Sequence, residues 1–193
     1  EWKVDKEKFV ILLPGRLTKW KGHEVFIDAL NILNQRYNIK SFIAIILGND
    51  QGRKVYSKKL ESLAERYRLN NNLIFIPKCE EMPLAYEMAN VVVSSSIEPE
   101  AFGRISVESQ SMQKTIIASN IGGSKETIIN EKTGFLVEAG NSNALAEKLI
   151  EIMNLDSWTL QSIGIEGRKN VLKKFDIDRM CFTTFSEYKK LLE

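Results

Sequence analysis

What most constrains the fold of this chain is a series of short apolar runs that do not alternate with polar residues. They are Phe9–Pro14 (FVILLP), Phe42–Leu47 (FIAIIL), Leu73–Ile76 (LIFI), Val91–Ser94 (VVVS), Thr115–Ala118 (TIIA) and Phe135–Val137 (FLV). A strand with one wet face reads apolar, polar, apolar; a strand covered on both faces reads apolar throughout. Helical spacing fills the gaps between the runs. Phe26, Ala29, Leu30, Leu33 and Tyr37 fall on one face, and Val55–Tyr67 is a charged helix. Shorter helices are predicted near Leu84–Met88, Ile105–Met112 and Lys125–Ile129. Strands alternating with helices predict an α/β fold, a doubly wound, Rossmann-like parallel sheet with helices on both faces. After Asn143 no apolar run returns. Leu145, Leu149 and Met153 form one stripe, and Cys181, Phe185, Tyr188 and Leu192 another, so the C-terminal tail is helical.

Composition narrows what such a sheet can serve. The 193 residues carry 27 Lys plus Arg against 25 Asp plus Glu, a formal charge of +2, which gives no field for a polyanion; nucleic acid is not expected as a partner. The length suits one domain, taken as residues 1–193. Cys79 and Cys181, about 100 residues apart, form no metal-ligand or disulfide framework. No apolar stretch approaches the roughly 20 residues of a bilayer span. Because the chain begins at Glu1 rather than at methionine, it is expected to be a fragment.

In an open parallel sheet, ligands bind beyond the carboxyl ends of the strands, where loops enter helix N-termini with unpaired N–H groups. Four loops there have distinctive chemistry. The first, Gly15 to Gly22 (GRLTKWKG), combines glycines for close backbone approach with Arg16 and Lys21, suited to phosphate. Its spacing is neither the Walker G-x-x-x-x-G-K-S/T nor G-x-G-x-x-G, and taken alone it is as well read as a solvated basic turn. Trp20 either closes over this loop or is exposed. His23 reads as a packing or solvent residue rather than a general base, with a donor-site contact left open by its proximity to Lys21. The second loop, Ser94 to Glu108, gathers Glu98, Glu100 and Glu108; carboxylates can accept from sugar hydroxyls, and N–H groups near Gly103 and Arg104 can meet a phosphate. By itself, Glu98 reads as a surface charge and Glu108 as a first-turn residue favoured by the helix dipole. The third, Ser119 to Glu126, holds Gly122–Gly123 with Ser124 as helix cap. The fourth, Glu131 to Gly134, reverses the chain. Asp176-Ile177-Asp178 has the form of a metal-binding D-x-D, but it lies after all the strands, and Asp178 is read as a cap for the last helix.

In this order, Gly15-Arg16-Leu17 with Lys21-Gly22, Glu100-Ala101-Phe102-Gly103 with Glu108, Ile117 to Gly123 with Glu126, and Thr133 to Val137 resemble the nucleotide-sugar-binding C-terminal domain of GT-B glycosyltransferases, the large retaining family four. Glu100 and Glu108 reproduce its E-x7-E spacing. The resemblance implies one half of a GT-B fold, the donor half of a retaining hexosyltransferase. The N-terminal acceptor domain would lie outside this chain, leaving the fragment inactive alone. It implies a donor site of Gly15, Arg16, Lys21, Pro77, Lys78, Glu100, Phe102, Gly103, Arg104, Ile105 and Glu108. Arg16 and Lys21 would hold the donor diphosphate, joined by backbone N–H groups of Phe102 to Ile105. Glu108 would take the ribose hydroxyls and Glu100 the sugar. The base would fall at Pro77 and Lys78. Glu100, Arg16 and Lys21 would carry the catalytic roles, with no metal cofactor.

Two departures stand out. Glu98-Pro99-Glu100 places a second carboxylate two residues before the matched one, and Ala101 stands where the family has proline. The resemblance further implies bacterial lipopolysaccharide or other cell-surface glycan assembly, in the cytoplasm or at the inner face of the membrane. The alternatives are a non-catalytic nucleotide-sugar-binding module and a GT-B nucleotide-sugar epimerase. A flavodoxin-like receiver domain would need acidic residues at the first strand end, where Arg16 and Lys21 stand.

Overall fold

The computed structural model describes residues 4 and 7–192. Six strands, β1 (Phe9–Pro14), β2 (Phe42–Leu47), β3 (Leu73–Ile76), β4 (Val91–Ser94), β5 (Thr115–Ser119) and β6 (Phe135–Val137), form one sheet in the order β3-β2-β1-β4-β5-β6. Every pairing is parallel; Phe9 faces Phe42 and Pro14 faces Leu47 on one side of β1, and Ile11 faces Val91 on the other. Each apolar run is a strand, as the lack of alternation predicts.

Successive side chains of a strand point to opposite faces, and here each face is roofed. Ile11, Leu13, Ala44, Ile46, Val91 and Val93 pack with Phe26 and Leu30 of α1 (His23–Asn31), Leu60 of α2 (Lys54–Arg66) and Leu149 of the twelve-residue α6 (Ser142–Met153). Val10, Leu12, Ile43, Ile45, Val92 and Ile116 pack on the other face with Ala85 and Tyr86 of α3 (Met82–Met88). Burying a side chain such as Phe26 or Leu30 fully is worth about 1.5–3 kcal/mol before entropy is counted. The remaining helices are α4 (Arg104–Ser111), α5 (Ser124–Thr127), α7 (Ser157–Lys174) and α8 (Ile177–Leu192).

The structure corrects several local readings. Tyr37 lies past the end of α1, beyond a π-type turn over Ile32–Arg36, and is exposed. The helix read over Lys125–Ile129 is the single turn α5. Ser124 is its first residue rather than its cap; Gly123 holds the cap position without a side-chain bond. At α8 the cap is Asp176, whose carboxylate accepts from the Asp178 N–H at 3.2 Å, while Asp178 itself stands in the first turn. Glu108 is not a first-turn residue, because α4 starts at Arg104 and places it one turn deeper. The stripe of Cys181, Phe185, Tyr188 and Leu192 is helical but buries none of its side chains among the described residues.

The two windings of the sheet part between β1 and β4. A doubly wound sheet opens its ligand crevice at that point, beyond the strand carboxyl ends.

Candidate functional site

The loops leaving β1 and β4 are fastened to each other. The Ser95 hydroxyl donates to the carbonyls of Lys21 (3.1 Å) and Gly22 (3.0 Å), and the Ile97 N–H donates to the Trp20 carbonyl at 2.8 Å. Gly22 is the residue that permits this. It sits at φ +68°, and a Cβ there would lie 1.8 Å from the Ser95 carbonyl oxygen. Only a residue without a side chain lets the two backbones come so close.

That fastening brings Lys21 against Glu100. The Lys21 Nζ donates to Glu100 Oε1 at 2.7 Å, and both side chains are largely buried, at 10% and 14% exposure. The Ser96 hydroxyl donates to the same oxygen at 2.5 Å, and the Lys21 ammonium lies 4.5 Å from the centre of the Trp20 ring. Trp20 therefore flanks the loop cation. Arg16 is exposed at the mouth of the crevice. Glu98 is also exposed and does not line the crevice, whereas Glu100 does.

On the β4 side, Gly103 at φ +74° turns the chain into α4, whose first N–H groups have no intrahelical partner. The Glu100–Phe102 segment is held from behind by the diglycine loop: the Gly123 N–H donates to the Glu100 carbonyl at 2.8 Å, and a Cβ at Gly123 would stand 2.5 Å from the Phe102 carbonyl oxygen. The diglycine does more than admit a helix; it lets the carboxylate loop pack against a second backbone.

Deeper in α4, Glu108 has both oxygens engaged. Oε2 accepts from the Tyr86 hydroxyl at 2.7 Å, and Oε1 accepts from Arg104 Nη2 at 2.8 Å and Nε at 3.1 Å. Burial, with the hydrogen bond to the Glu108 carboxylate second, pushes the Tyr86 phenol well above its ordinary range, so it remains a donor. At the β3 end, Pro77 and Lys78 are exposed, and Lys78 pairs with Glu80 at 2.7 Å in full solvent, a contact worth at most about 1 kcal/mol. Just behind the β1 loop, His23 is fully buried and burial pushes its imidazole down to about 4, so it is neutral near pH 7 and does not reach the crevice.

These groups surround one cavity of about 730 Å³. Gly15, Arg16, Lys21, Pro77, Lys78, Glu100, Phe102, Gly103, Arg104, Ile105 and Glu108 all line it. Asn49, Tyr86 and, behind Glu100, Ser96 join them without having been singled out from the sequence. Tyr86 falls on the apolar face of α3, where nothing marks its hydroxyl as facing a carboxylate 22 residues away. Ser96 carries a signal only as part of the serine run that closes β4. Chemically, the cavity offers cations and backbone donors on one wall and carboxylate acceptors on another, which suits a ligand bearing both anionic groups and hydroxyls. Among the described residues, no group of three or more His, Cys, Asp or Glu gathers that could hold a metal ion, and no helix is long and apolar enough to cross a membrane.

Comparisons with known proteins identify the family. The family profile of glycosyl transferases group 1 matches residues 1–170. The capsular polysaccharide biosynthesis glycosyltransferase CapM of Staphylococcus aureus is 32% identical over 174 residues, covering 90% of this chain and 44% of that relative. A crystal structure of a glycosyltransferase from Rickettsia africae ESF-5 superposes with a TM-score of 0.90 at 33% identity, over 96% of this chain and 48% of the other. Anabaena Alr3699/HepE in complex with UDP-glucose superposes with a TM-score of 0.85 at 28% identity, over 93% and 49%. The chain thus spans about half the length of the relatives it matches. With the profile extending over most of its length and the open sheet forming one half of a GT-B fold, the chain belongs to the glycosyl transferases group 1 family.

Proposed function

We propose that this chain is the donor half of a retaining glycosyltransferase, and that its cavity takes a nucleoside-diphosphate sugar. The observation that supports the reading is the buried Lys21–Glu100 pair: it sets a cation suited to phosphate and a carboxylate suited to sugar hydroxyls side by side at the sheet's switch point. Arg16, Lys21 and the N–H groups of Phe102 to Ile105 would grip the diphosphate. Glu108 would accept from the ribose, Glu100 from the sugar, and the backbone of Pro77 and Lys78 would meet the base. The UDP-glucose bound to HepE supports a ligand of this class. During transfer, the bond from the anomeric carbon to the diphosphate oxygen breaks while the acceptor hydroxyl oxygen bonds to that carbon on the retained face, its proton passing to the departing diphosphate. Negative charge then builds on the leaving diphosphate, where fixed cations and N–H dipoles stabilise it.

The acceptor would be held by an N-terminal domain of the same polypeptide, in keeping with the half-length match. The role of CapM in capsular polysaccharide biosynthesis supports a cell-surface glycan as the product; lipopolysaccharide, and assembly on the cytoplasmic side at or near the membrane surface, belong to the same proposal. The test is a calorimetric panel of UDP, GDP, ADP and their sugars, with and without EDTA. One nucleotide should bind at full affinity in EDTA, and the isolated chain should transfer no sugar at an enzymatic rate, since half of the positioning apparatus is elsewhere. Binding that vanishes on chelation and returns with magnesium or manganese would refute the cationic clamp, and turnover by residues 1–193 alone would refute the half-enzyme reading.

A further inference from the structure

The two partners of Glu108 differ sharply in freedom. Tyr86, on α3, is 2% exposed and packs in a core cluster with Ala85, Ala89 and Val92, so its ring has little freedom to move. Arg104, four residues before Glu108 on α4, has a side chain 83% exposed and can trade the carboxylate for water at little cost. A glutamate side chain has three rotatable bonds, and an exposed partner alone would let it follow Arg104 outward. The phenol fixes Oε2 from inside the protein, and both Tyr86 and Glu108 line the cavity.

Building on the assignment of Glu108 to the ribose, we propose that Tyr86 is a positioning residue: it holds the Glu108 carboxylate where a ribose diol can reach it, and so sets the preference for ribo- over deoxyribonucleotides. A vicinal diol presents two donors at fixed separation, and a carboxylate meets both only from a narrow range of orientations. Holding that orientation beforehand removes the ordering cost from binding.

The test compares wild type, Tyr86→Phe and Glu108→Ala by calorimetry in metal-free buffer. The probes are whichever of UDP, GDP and ADP binds tightest and its 2′,3′-dideoxy counterpart. Wild type should favour the ribo ligand by about tenfold or more, the scale of a charge-assisted hydrogen bond. Tyr86→Phe should reduce that preference by about fivefold while leaving the dideoxy affinity nearly unchanged, because only the carboxylate's orientation is lost. A wild-type preference in Tyr86→Phe, or equal losses for both ligands, overturns the proposal. If Glu108→Ala keeps the preference, the ribose assignment itself falls; if Glu108→Ala loses it and Tyr86→Phe does not, only the role of Tyr86 falls. Phe keeps the buried ring, and melting temperatures establish that the variant is folded. A second readout keeps the ring and hydroxyl in place: with 3-fluorotyrosine at position 86, the fluorine resonance should move on adding the ribo ligand and not the dideoxy one. A resonance indifferent to both ligands, or moved equally by both, counts against the proposal.

Discussion

Replacing Glu100 by glutamine would test whether the crevice is electrostatically balanced against itself. Lys21 and Glu100 sit 2.7 Å apart with side chains 10% and 14% exposed. At an effective dielectric of about 20, the attraction at that distance is about 6 kcal/mol, most of it offset by the desolvation of both ions. Removing one member of such a pair strands the other and costs about 3–5 kcal/mol. Glutamine keeps a carbonyl to accept from Ser96 and Lys21, so Glu100→Gln is placed at about 2–3 kcal/mol of lost stability. The ligand effect has the opposite sign. An entering diphosphate must share Lys21 with Glu100 and is repelled by the carboxylate; removing the negative charge lifts both costs. From the sequence alone, the same substitution is expected to leave nucleoside diphosphate affinity unchanged. The ion pair revises that expectation to a gain of roughly 1–2 kcal/mol, about tenfold. The extra affinity for the complete nucleotide sugar should shrink as the sugar loses a charged acceptor. Urea denaturation of both proteins, with calorimetry against the nucleoside diphosphate and its sugar, gives all three quantities. Unchanged stability together with unchanged or weaker diphosphate binding would refute the reasoning.

Gly22→Ala should cost about 3 kcal/mol or more and weaken nucleotide binding, since its Cβ would strike the Ser95 carbonyl at 1.8 Å; Gly140→Ala, at a similar positive φ of +76° with open space around it, should cost only about 1 kcal/mol. Denaturation of the two variants separates collision from backbone strain, and equal costs would contradict the close-packed loop. His23, held down to about 4 by burial against an unfolded value near 6.5, is neutral when folded and takes up its proton on unfolding in acid. Its contribution is therefore intact above pH 6.5 and is lost as pH falls towards 4, by about 3 kcal/mol in all. Unfolding free energies between pH 7.5 and 4 should fall less steeply in His23→Leu, and equal slopes would rule out this source.

The strands were legible because a strand buried on both faces must be apolar at every position, and Ile11, Leu12 and Leu13 all meet that demand at no more than 2% exposure. His23 belongs with Phe26, Ile27 and Leu30 on the buried face of α1, a spacing that favours burial, but a lone histidine type left packing and solvent equally open. Helix entries were less legible. Ser124 and Asp178 are both good capping residues standing one or two positions inside their helices, and a shift that small moves a side chain from cap to first turn. In the site, Arg16, Lys21, Glu100 and Glu108 stood out as charges near strand ends. Tyr86 and Ser96 did not, because their importance lies in which carboxylate the fold brings to them, and that pairing is settled by the sheet order rather than by neighbours in sequence.

The fastening of the β1 and β4 loops also bears on how the molecule comes together. β1 and β4 are neighbours in the sheet but are separated in the chain by β2, β3 and the helices between, so their pairing closes the longest loop in the first half of the fold. Lys21 and Glu100, 79 residues apart, meet only after that seam has formed. The crevice is thus built from non-local contacts, and a ligand that touched both loops would be a brace across the joint. Its imprint should appear away from the cavity, as slower amide hydrogen exchange in β1 and β4 together, with the outer strand β3 gaining protection only through global stabilisation.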